Sequence, residues 1–367
     1  MRVIVAAGGT GGHLYPGLAL AREFERQVPG SEIIFVGTAH GLEAKVVARE
    51  GFELVTIKAQ GVMGKGLAGF WRGLAMLPIG LTQCLVLCRK RRPDLVLGIG
   101  GYTSPPLVLA AYLLGIKRAI LEPNAHPGAA NRVLSPFSKL VFVTFHDTVM
   151  FFGADKTRVM GTPIRREFFD VFGAETRDIE IGRRPTLFVF GGSQGARSIN
   201  RAMTAALPTL IAAYPGLHII HQTGERDFKE VAEAYRKVWP PDRMTAEVVP
   251  FVYDMPRAFR QADLIISRAG AMTVAELTAC GKPALLTPFP HAISGHQERN
   301  ARVLESAGAA RVILDSDLSG PVLADAISSL LANPGRLTEM GRQSKALGRT
   351  DSAERVVSAC RELLRQA

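Results

Sequence analysis

The sequence predicts an α/β protein built from two doubly wound, parallel-sheet domains. Its 367 residues suit about two domains, each with its own core. Short apolar runs alternate with longer helical segments, as in βαβ units on a parallel sheet. A strand that runs into a glycine loop also occurs twice, at the start of each half of the chain. Because ligands bind outside the carboxyl ends of such strands, we expect the two domains to face a common cleft.

The first series of apolar runs predicts an N-terminal domain over residues 1–160. The runs have the length of strands, and the segments between them have room for helices. The predicted strands cover residues 3–7, 33–36, 54–57, 95–98, 119–121 and 140–143.

A second series of runs predicts a C-terminal domain over residues 186–345. Its strands cover residues 186–190, 218–221, 247–249, 264–266, 284–286 and 311–313. Residues 161–185 lie between the two series, are rich in Gly, Pro, Arg and acidic residues, and lack a clear apolar period, so they are predicted to be a linker. Residues 346–367 are predicted to form a C-terminal helix that packs back towards the first domain.

Composition excludes several classes of protein. A content of 47% hydrophobic and 21% charged residues is typical of a folded chain. The four cysteines form neither a CxxC pair nor a Cys/His cluster, which predicts reduced thiols and neither disulfides nor a zinc site. Residues 1–12 hold too few apolar residues for a signal peptide, so we expect a cytoplasmic chain. The longest apolar stretch, residues 74–88, is shorter than the roughly 18 uncharged residues that a membrane span needs.

The positive charge is unevenly distributed. The net charge is +11, and residues 1–160 carry 18 Lys and Arg against 10 Asp and Glu, which is +8. Residues 161–367 carry 26 against 23, which is +3. The first domain is therefore expected to prefer an anionic partner, and nucleic acid, an anionic membrane surface and a phosphorylated substrate are the candidates.

The two glycine loops, residues 8–12 and 191–195, are candidate phosphate sites. Glycine lets the backbone approach a phosphate, whose charge is stabilised by the free N–H groups and the dipole of a helix N-terminus. Leu14 stands where the dinucleotide fingerprint needs its third glycine, and neither loop has the Lys-Ser/Thr pair of a Walker A loop. Hydride transfer and ATP hydrolysis are therefore disfavoured, and tight turns that serve only packing are the alternative.

Four polar side chains near these loops can carry chemistry. His13 follows the first loop and could remove a proton from an attacking hydroxyl, although a histidine at a helix start can instead bond the backbone. In the segment 267–276, a helix N-terminus of small residues can hold a diphosphate. Glu276 in that segment can accept hydrogen bonds from two ribose hydroxyls or simply favour the helix dipole. His296 and Gln297 in the following polar segment can contact sugar hydroxyls or phosphates.

One short motif suggests a metal. Asp315-Ser316-Asp317 matches the D-x-D pattern by which some nucleotide-sugar enzymes hold a cation. The motif precedes Leu318 and a predicted helix start, where Asp is an ordinary cap. It is also distant in sequence from both glycine loops, so we expect no metal site there.

Residues 64–79 form an apolar, aromatic segment with a basic flank. Apolar side chains that enter the lipid interface beside cations can hold a protein on a bilayer that it does not span. Lys65, Arg72 and the run 89–92 supply the cations. The alternative is a loop and a core helix with a solvated basic end, but the basicity of this domain favours the membrane. The predicted membrane contacts are Phe70, Trp71, Leu74 and Leu77.

Seven motifs follow one another along almost the whole chain. They are GGTGGH (8–13), GGY (100–102), EPN (122–124), GTPIR (161–165), GGSQGA (191–196), SRAGAMTVAE (267–276) and HQERNA (296–301). In this combination the chain resembles the MurG family of peptidoglycan glycosyltransferases. The resemblance implies a GT-B fold of two Rossmann-like domains facing a cleft. It also implies inverting transfer of N-acetylglucosamine (GlcNAc) from UDP-GlcNAc to the C4 hydroxyl of MurNAc-pentapeptide-diphospho-undecaprenol (lipid I), which forms lipid II in peptidoglycan biosynthesis.

The resemblance implies partners and a location as well. The partners would be UDP-GlcNAc, lipid I, an anionic membrane surface and proteins of cell-wall synthesis or division, without nucleic acid. Neither a cofactor nor a metal is implied. The protein would act as a peripheral protein on the cytoplasmic face of the bacterial plasma membrane.

The matching motifs also assign site residues. His13 occupies the place of the catalytic base. Pro123 and Thr162 stand where Gln and Asn are common in the family, and His296 stands where some members have Gln, which bears on the finer donor contacts. The residues implied to bind the donor are Thr10, Gly11, Gly12, Asn124, Arg165, Ser193, Val252, Ala271, Met272, Thr273, Glu276, His296 and Gln297.

Two other functions remain open from the sequence. One is another UDP-GlcNAc enzyme of the same fold, such as a 2-epimerase or a transferase with a different acceptor. An epimerase would have no need of Phe70 and Trp71. The other is a non-catalytic, membrane-recruited nucleotide-sugar-binding protein, which would have no need of His13 and Glu276 together with both glycine loops.

Overall fold

The computed structural model describes residues 1–60, 66–172, 184–239, 245–292 and 295–366, and side chains within them except at 66–75 and 170–172. The chain divides into two compact units. One consists of Met1–Arg165 with Arg349–Ala367, and the other of Arg166–Gly348. Each unit is built around a parallel sheet, so the predicted fold class is confirmed.

The described part of the first unit contains a seven-stranded sheet. Its strands are β1 (Arg2–Ala6), β2 (Glu32–Gly37), β3 (Glu53–Thr56), β4 (Leu95–Gly98), β5 (Lys117–Glu122), β6 (Leu140–Val143) and β7 (Thr157–Val159). Their order is β3-β2-β1-β4-β5-β6-β7, and all neighbours are parallel. The winding direction reverses between β1 and β4, so the loops that follow these two strands are neighbours. A doubly wound sheet binds its ligand at this switch point.

Helices cover both faces of this sheet. Val3 and Val5 of β1 enter one apolar cluster, and Ile4 and Ala6 enter the cluster on the other face. Because both faces are buried, the strands are nearly continuous apolar runs, and this is why the sequence revealed them. The helices are α1 (Gly11–Gln27), α2 (Leu42–Arg49), α3 (Gly66–Arg91), α4 (Ser104–Leu113) and α5 (Ala129–Leu134), with 3₁₀ turns at Ser135–Phe137 and His146–Phe151.

The second unit has a six-stranded sheet in its described residues. The strands are β8 (Thr186–Phe190), β9 (His218–Gln222), β10 (Ala246–Val249), β11 (Leu264–Ser267), β12 (Ala284–Leu286) and β13 (Ala310–Val312), in the order β10-β9-β8-β11-β12-β13. The switch point lies between β8 and β11, so it brings together the loops after these two strands. The helices are α6 (Glu167–Phe172), α7 (Arg197–Ala213), α8 (Phe228–Val238), α9 (Met255–Gln261), α10 (Ala271–Cys280), α11 (His296–Ser306), α12 (Gly320–Leu331) and α13 (Pro334–Leu347).

After α13 the chain returns to the first unit as α14 (Ser352–Arg365), which packs against α1. The spacing of its apolar residues puts them on one helical face. Val356, Val357, Cys360 and Leu363 are buried in the same cluster as Val3 and Val5. The core of the first unit is therefore built from both ends of the described chain.

All twelve predicted strands form, with boundaries shifted by at most two residues. The strand β7 was not predicted. In the segment predicted to be a linker, residues 167–172 form α6, and residues 173–183 lie outside the described residues. Phe168 of α6 packs edge-on against Phe259 of α9, with ring centroids 5.4 Å apart. All four cysteines are buried free thiols, as predicted.

Candidate active site

The first glycine loop joins β1 to α1 and places His13 in the first turn of the helix. Thr10 is the N-cap residue, and its Oγ1 lies 3.2 Å from Nδ1 of His13. The His13 ring lies against the loop that follows β4, since a Cβ built on Gly100 would be 2.8 Å from its Cδ2 and Nε2. The switch point of the first sheet thus holds the predicted base in a half-buried position.

A buried carboxylate lies beneath this loop. Glu43, at the start of α2, is 1% exposed. Its Oε2 accepts a hydrogen bond from the Gly9 N–H at 3.3 Å, and its Oε1 accepts from the N–H and hydroxyl of Thr38, both at 2.9 Å. Sequence reasoning missed Glu43, because nothing in the chain between 9 and 43 signals that these residues meet.

Asn124 and Arg165 reach the same end of the first sheet from other loops. Glu122, at the end of β5, accepts hydrogen bonds from the backbone and side-chain N–H groups of Asn124, both at 3.0 Å. The Arg165 guanidinium lies 5.1 Å from the ring centre of Tyr15, two residues beyond His13. The Oγ1 of Thr162 lies 2.6 Å from that of Thr144.

The second glycine loop joins β8 to α7 and exposes Ser193. Gly195 has φ +73°, and a Cβ there would lie 1.8 Å from the carbonyl oxygen of Thr223, so only glycine fits. Gln222, at the end of β9, is 2% exposed and connects two parts of the predicted donor site. Its Nε2 donates to the Gly192 carbonyl at 2.9 Å, and its Oε1 accepts from the Val252 N–H at 2.8 Å.

The N-terminus of α10 is the other half of this switch point. Gly270 is the N-cap residue, Ala271 and Met272 form the first turn with Thr273, and Glu276 lies one turn further, 7% exposed. The Asn300 side chain donates to the Ala269 carbonyl at 3.2 Å and so holds the preceding loop. The free N–H groups of this turn lie beside the second glycine loop, where an anionic group would be stabilised.

One buried arginine ties the elements of this edge together. The Arg268 guanidinium donates to Oδ1 of Asp315 at 2.6 Å and to the Ser198 hydroxyl of α7 at 2.8 Å. It also donates to the carbonyls of Thr287 and Pro288, at 3.1 and 3.0 Å. The guanidinium thus has four acceptors, of which one is a carboxylate, so Arg268 fixes the ends of several strands.

This arrangement corrects the interpretation of Asp315 as a helix cap. Asp315 is the counterion of Arg268 and also accepts a hydrogen bond from Ser198 at 2.6 Å. The cap of α12 is Ser319, whose hydroxyl accepts from the Val322 N–H at 3.4 Å.

His296 and Gln297 begin α11 and are both half-buried. Oε1 of Gln297 accepts a hydrogen bond from the Phe289 N–H at 3.0 Å, which ties the helix start to the loop after β12. The remaining amide N–H groups of Gln297 are donors that a sugar hydroxyl could use.

The predicted membrane contacts lie on α3. The side chains of Phe70, Trp71 and Leu74 are outside the described residues, and Leu77 is half-buried. Across the residues that the structure describes, no helix has the length and apolar character required to span a bilayer. In the basic run at the end of α3, Arg91 pairs with Glu32 and Glu53, while Arg89, Lys90 and Arg92 are exposed.

Comparison with known proteins identifies the class. Residues 3–143 match the glycosyltransferase family 28 N-terminal domain, and residues 186–356 match the family 28 C-terminal domain. Two parallel-sheet units with glycine loops at their switch points thus define a UDP-sugar glycosyltransferase of this class.

Full-length relatives narrow the class to one family. A Myxococcus xanthus protein named "UDP-N-acetylglucosamine--N-acetylmuramyl-(pentapeptide) pyrophosphoryl-undecaprenol N-acetylglucosamine transferase" is 43% identical over 366 residues, covering 100% of this chain and 94% of the relative. A Thermodesulfovibrio yellowstonii protein of the same name is 45% identical over 369 residues and covers both chains fully. The crystal structure of Acinetobacter baumannii MurG superposes with a TM-score of 0.79 at 30% identity, over 98% of this chain and 99% of that one. The chain belongs to the MurG family.

A different enzyme shares only the fold. UDP-GlcNAc 2-epimerase from Neisseria meningitidis, solved with UDP-GlcNAc bound, has a TM-score of 0.69 over 99% of this chain and 100% of that one. Its sequence identity is 13%, so the similarity extends to architecture alone.

Proposed function

We propose that this protein transfers GlcNAc from UDP-GlcNAc to the C4 hydroxyl of the MurNAc sugar in lipid I, forming lipid II. The observation that carries the proposal is identity of 43–45% over the full chain to proteins named for this transfer. The switch-point loops supply matching chemistry, because each offers backbone N–H groups where a phosphorylated substrate can approach.

The donor is proposed to bind the second unit. The N-terminus of α10 and the loop of Ser193 would hold the diphosphate, with the Thr273 hydroxyl as a further donor. Glu276 would accept hydrogen bonds from the ribose hydroxyls, and Val252 would be an apolar contact against the uracil. Gln297 and His296 are proposed to contact the sugar.

The first unit is proposed to supply the base and the remaining donor contacts. His13 would take the proton of the C4 hydroxyl as that oxygen attacks C1 of GlcNAc, while UDP leaves from the opposite face. A single displacement of this kind turns an α-linked donor into a β-linked product. Thr10, Gly11 and Gly12 with Asn124 and Arg165 would complete the donor contacts from this unit.

The negative charge that grows on the leaving diphosphate is proposed to be stabilised by helix N-termini and hydrogen-bond donors. The fixed N–H groups of α7 and α10 need no reorganisation during the reaction. Asp315 is engaged by Arg268 and Ser198, which supports a structural role for the D-x-D motif. We propose that transfer proceeds without a divalent cation.

Because the proposed acceptor is linked to a lipid, the transfer reaction would occur at a membrane surface. We propose a peripheral location on the cytoplasmic face of the plasma membrane, with Phe70, Trp71, Leu74 and Leu77 entering the interface. The net charge of +8 in residues 1–160 supports attraction to anionic lipid. Co-sedimentation with vesicles should be stronger with anionic than with zwitterionic lipid, and equal binding to both would contradict the electrostatic part of the proposal.

The decisive experiment is transfer of labelled GlcNAc from UDP-GlcNAc to a short-chain lipid I analogue, with and without EDTA. Label that reaches the lipid fraction in EDTA supports both the acceptor and the metal-free mechanism. Release of UDP-ManNAc without acceptor would indicate an epimerase, and donor binding without turnover would indicate a binding protein.

His13→Ala tests the base in the same assay. Loss of a general base costs about 10²- to 10⁴-fold in rate, so kcat should fall by that range. The dissociation constant for UDP should stay within about threefold, because UDP is proposed to bind the second unit. Unchanged turnover together with unchanged UDP affinity would exclude His13 as the base.

A further inference from the structure

The burial of Glu43 carries a cost in desolvation free energy. Its carboxylate is 1% exposed, and its hydrogen-bond partners among the described residues are neutral donors, the N–H of Gly9 and the N–H and hydroxyl of Thr38. Burying a charged carboxylate carries a desolvation cost that such bonds offset only in part. The N-terminal turn of α2 adds some stabilisation through the helix dipole.

The surrounding sequence makes room for this carboxylate. A Cβ at Gly41 would lie 2.2 Å from its Oε2, and a Cβ at Gly37 would lie 2.4 Å from its Cγ. Neither glycine has positive φ, so close approach to Glu43 is what requires them. Gly37 and Gly41 therefore leave space for the Glu43 carboxylate, which accepts a hydrogen bond from Gly9 in the loop of residues 8–10.

That contact lies next to the proposed base. Gly9, the residue that Glu43 holds, has φ +108° and directly precedes Thr10, the N-cap of α1. The other side of Gly9 faces the ring of Tyr102, since a Cβ on Gly9 would be 3.1 Å from its Cε1. The hydroxyl of Thr10 in turn lies 3.2 Å from Nδ1 of His13.

We propose that Glu43 is a positioning residue for the transfer reaction, which holds the Gly9 amide and thereby sets Thr10 and the ring of His13. The proposal rests on the proposed function, because it gives His13 the task of accepting a proton. Glu43 does not touch substrate in this account. Its contribution is the orientation of the base, to which reaction rates are sensitive on the scale of 1 Å.

Glu43→Gln disrupts the hydrogen bonds that hold this carboxylate, either at Gly9 or at Thr38. The amide keeps the shape of the side chain, but one of its two ends becomes an NH₂ group. Whichever way the amide is oriented, that group faces a donor, either the Gly9 N–H or the two donors of Thr38. Thr38→Val is the matched control, because it keeps the Glu43 carboxylate and its bond from the Gly9 N–H. It removes only the Thr38 hydroxyl, which donates to Oε1 of Glu43 and lies 3.5 Å from the Tyr102 hydroxyl.

Two readouts separate positioning from general stability. In Glu43→Gln, kcat for GlcNAc transfer should fall about 10- to 100-fold with the UDP dissociation constant unchanged, whereas Thr38→Val should stay within about threefold. The ¹⁵N resonances of the His13 ring should also shift in Glu43→Gln and remain in place in Thr38→Val. Both measurements are made below the melting temperature of each variant.

Wild-type kcat in Glu43→Gln, or an unchanged His13 ring spectrum in that variant, would overturn the positioning role. The spectrum is independent of turnover. If the wild-type chain fails to transfer GlcNAc, the proposed function is wrong, and the ring spectrum still decides whether Glu43 positions His13.

Discussion

His221 of β9 shows how a single buried side chain fixes its neighbours. Its Nδ1 lies 3.0 Å from the Tyr235 hydroxyl, and its Nε2 lies 3.1 Å from Oδ1 of Asn200. The Asn200 amide N–H groups are used by Thr223 and Asp227, so its oxygen must accept from Nε2–H. His221 is therefore the neutral Nε2–H tautomer, and burial lowers its pKa from 6.5 to about 3.

The stability of the second unit should fall in mild acid because of this residue. The unfolded chain takes up a proton near pH 6.5, whereas folded His221 resists protonation until about pH 3. Its contribution is complete above the unfolded pKa and is lost as pH falls towards the folded pKa. Between pH 7 and pH 5 we expect a loss of about 2 kcal/mol in the free energy of unfolding.

Urea unfolding followed by Trp239 fluorescence measures this loss, since Trp239 is buried in the same core. The comparison is with His221→Gln, which removes the titrating group. The variant should be less stable at pH 7 and should lose about 2 kcal/mol less between pH 7 and pH 5. Parallel pH profiles for the two proteins would contradict the role assigned to His221.

At the scale of elements, the second glycine loop is held by contact between two backbone segments. A Cβ on Gly195 would overlap the Thr223 carbonyl, and a Cβ on Gly224 would lie 2.2 Å from the carbonyl of Gln194. The loop and the segment after β9 therefore approach to a distance that no side chain allows. Gln222 then links the loop to the backbone at Val252.

Gly195→Ala and Gly192→Ala form a matched pair for testing this contact. Both residues have positive φ, +73° and +90°, but a Cβ on Gly192 meets nothing within 4 Å. Gly192→Ala should cost about 1 kcal/mol from backbone strain alone. Gly195→Ala should cost at least about 3 kcal/mol and weaken UDP binding at least tenfold, because the loop must move.

Calorimetry with UDP and urea unfolding of both variants give the two quantities. Equal effects of the two substitutions on stability and on UDP affinity would show that the close approach is unimportant.

The elements that the sequence revealed are those with a local signal. Strands buried on both faces are continuous apolar runs, and a glycine loop marks the start of a helix. The sequence does not predict the strand β7, because this strand is three residues long, lies at the sheet edge and carries the exposed Arg158. The sequence does not predict the helix α6 either, because its apolar pattern is limited to a few aromatic residues within a polar segment.

The candidate site was predictable only where motif residues meet the loops directly. Glu43, Gln222 and Arg268 act through contacts with residues distant in the chain, and no spacing rule reveals such contacts. Asp315 was misread for the same reason, because its partner Arg268 is 47 residues away. Capping preferences concern neighbours in sequence, so they could not reveal the ion pair that Asp315 makes with the buried Arg268.

At the scale of the whole molecule, α14 completes a core that begins with β1. Val356, Val357, Cys360 and Leu363 fill the cluster formed by β1, α1 and their neighbours. Burial of each such side chain contributes about 1.5–3 kcal/mol, which is a large share of the stability of a typical domain. The first unit therefore depends on a helix that follows the entire second unit in sequence.

Val356→Asp should destabilise the first unit selectively. An unpaired carboxylate in this core costs several kcal/mol, whereas Glu362→Ala on the exposed face of α14 should change stability by less than about 0.5 kcal/mol. Limited proteolysis, with fragments identified by mass, should show cleavage within residues 1–165 of Val356→Asp. The second unit should remain intact and retain UDP binding. Equal protease resistance of both variants would contradict the dependence on α14.

The shared core also has a consequence for synthesis on the ribosome. The second unit is contiguous in sequence, so it can fold as soon as it emerges from the ribosome. In contrast, β1 and α1 cannot pack against α14 until residues 166–348 have been translated. At about 5–20 residues per second, that interval is roughly 10 to 40 s. Throughout it the apolar face of α1 lacks its cover, and this nascent surface is where a holding chaperone would bind.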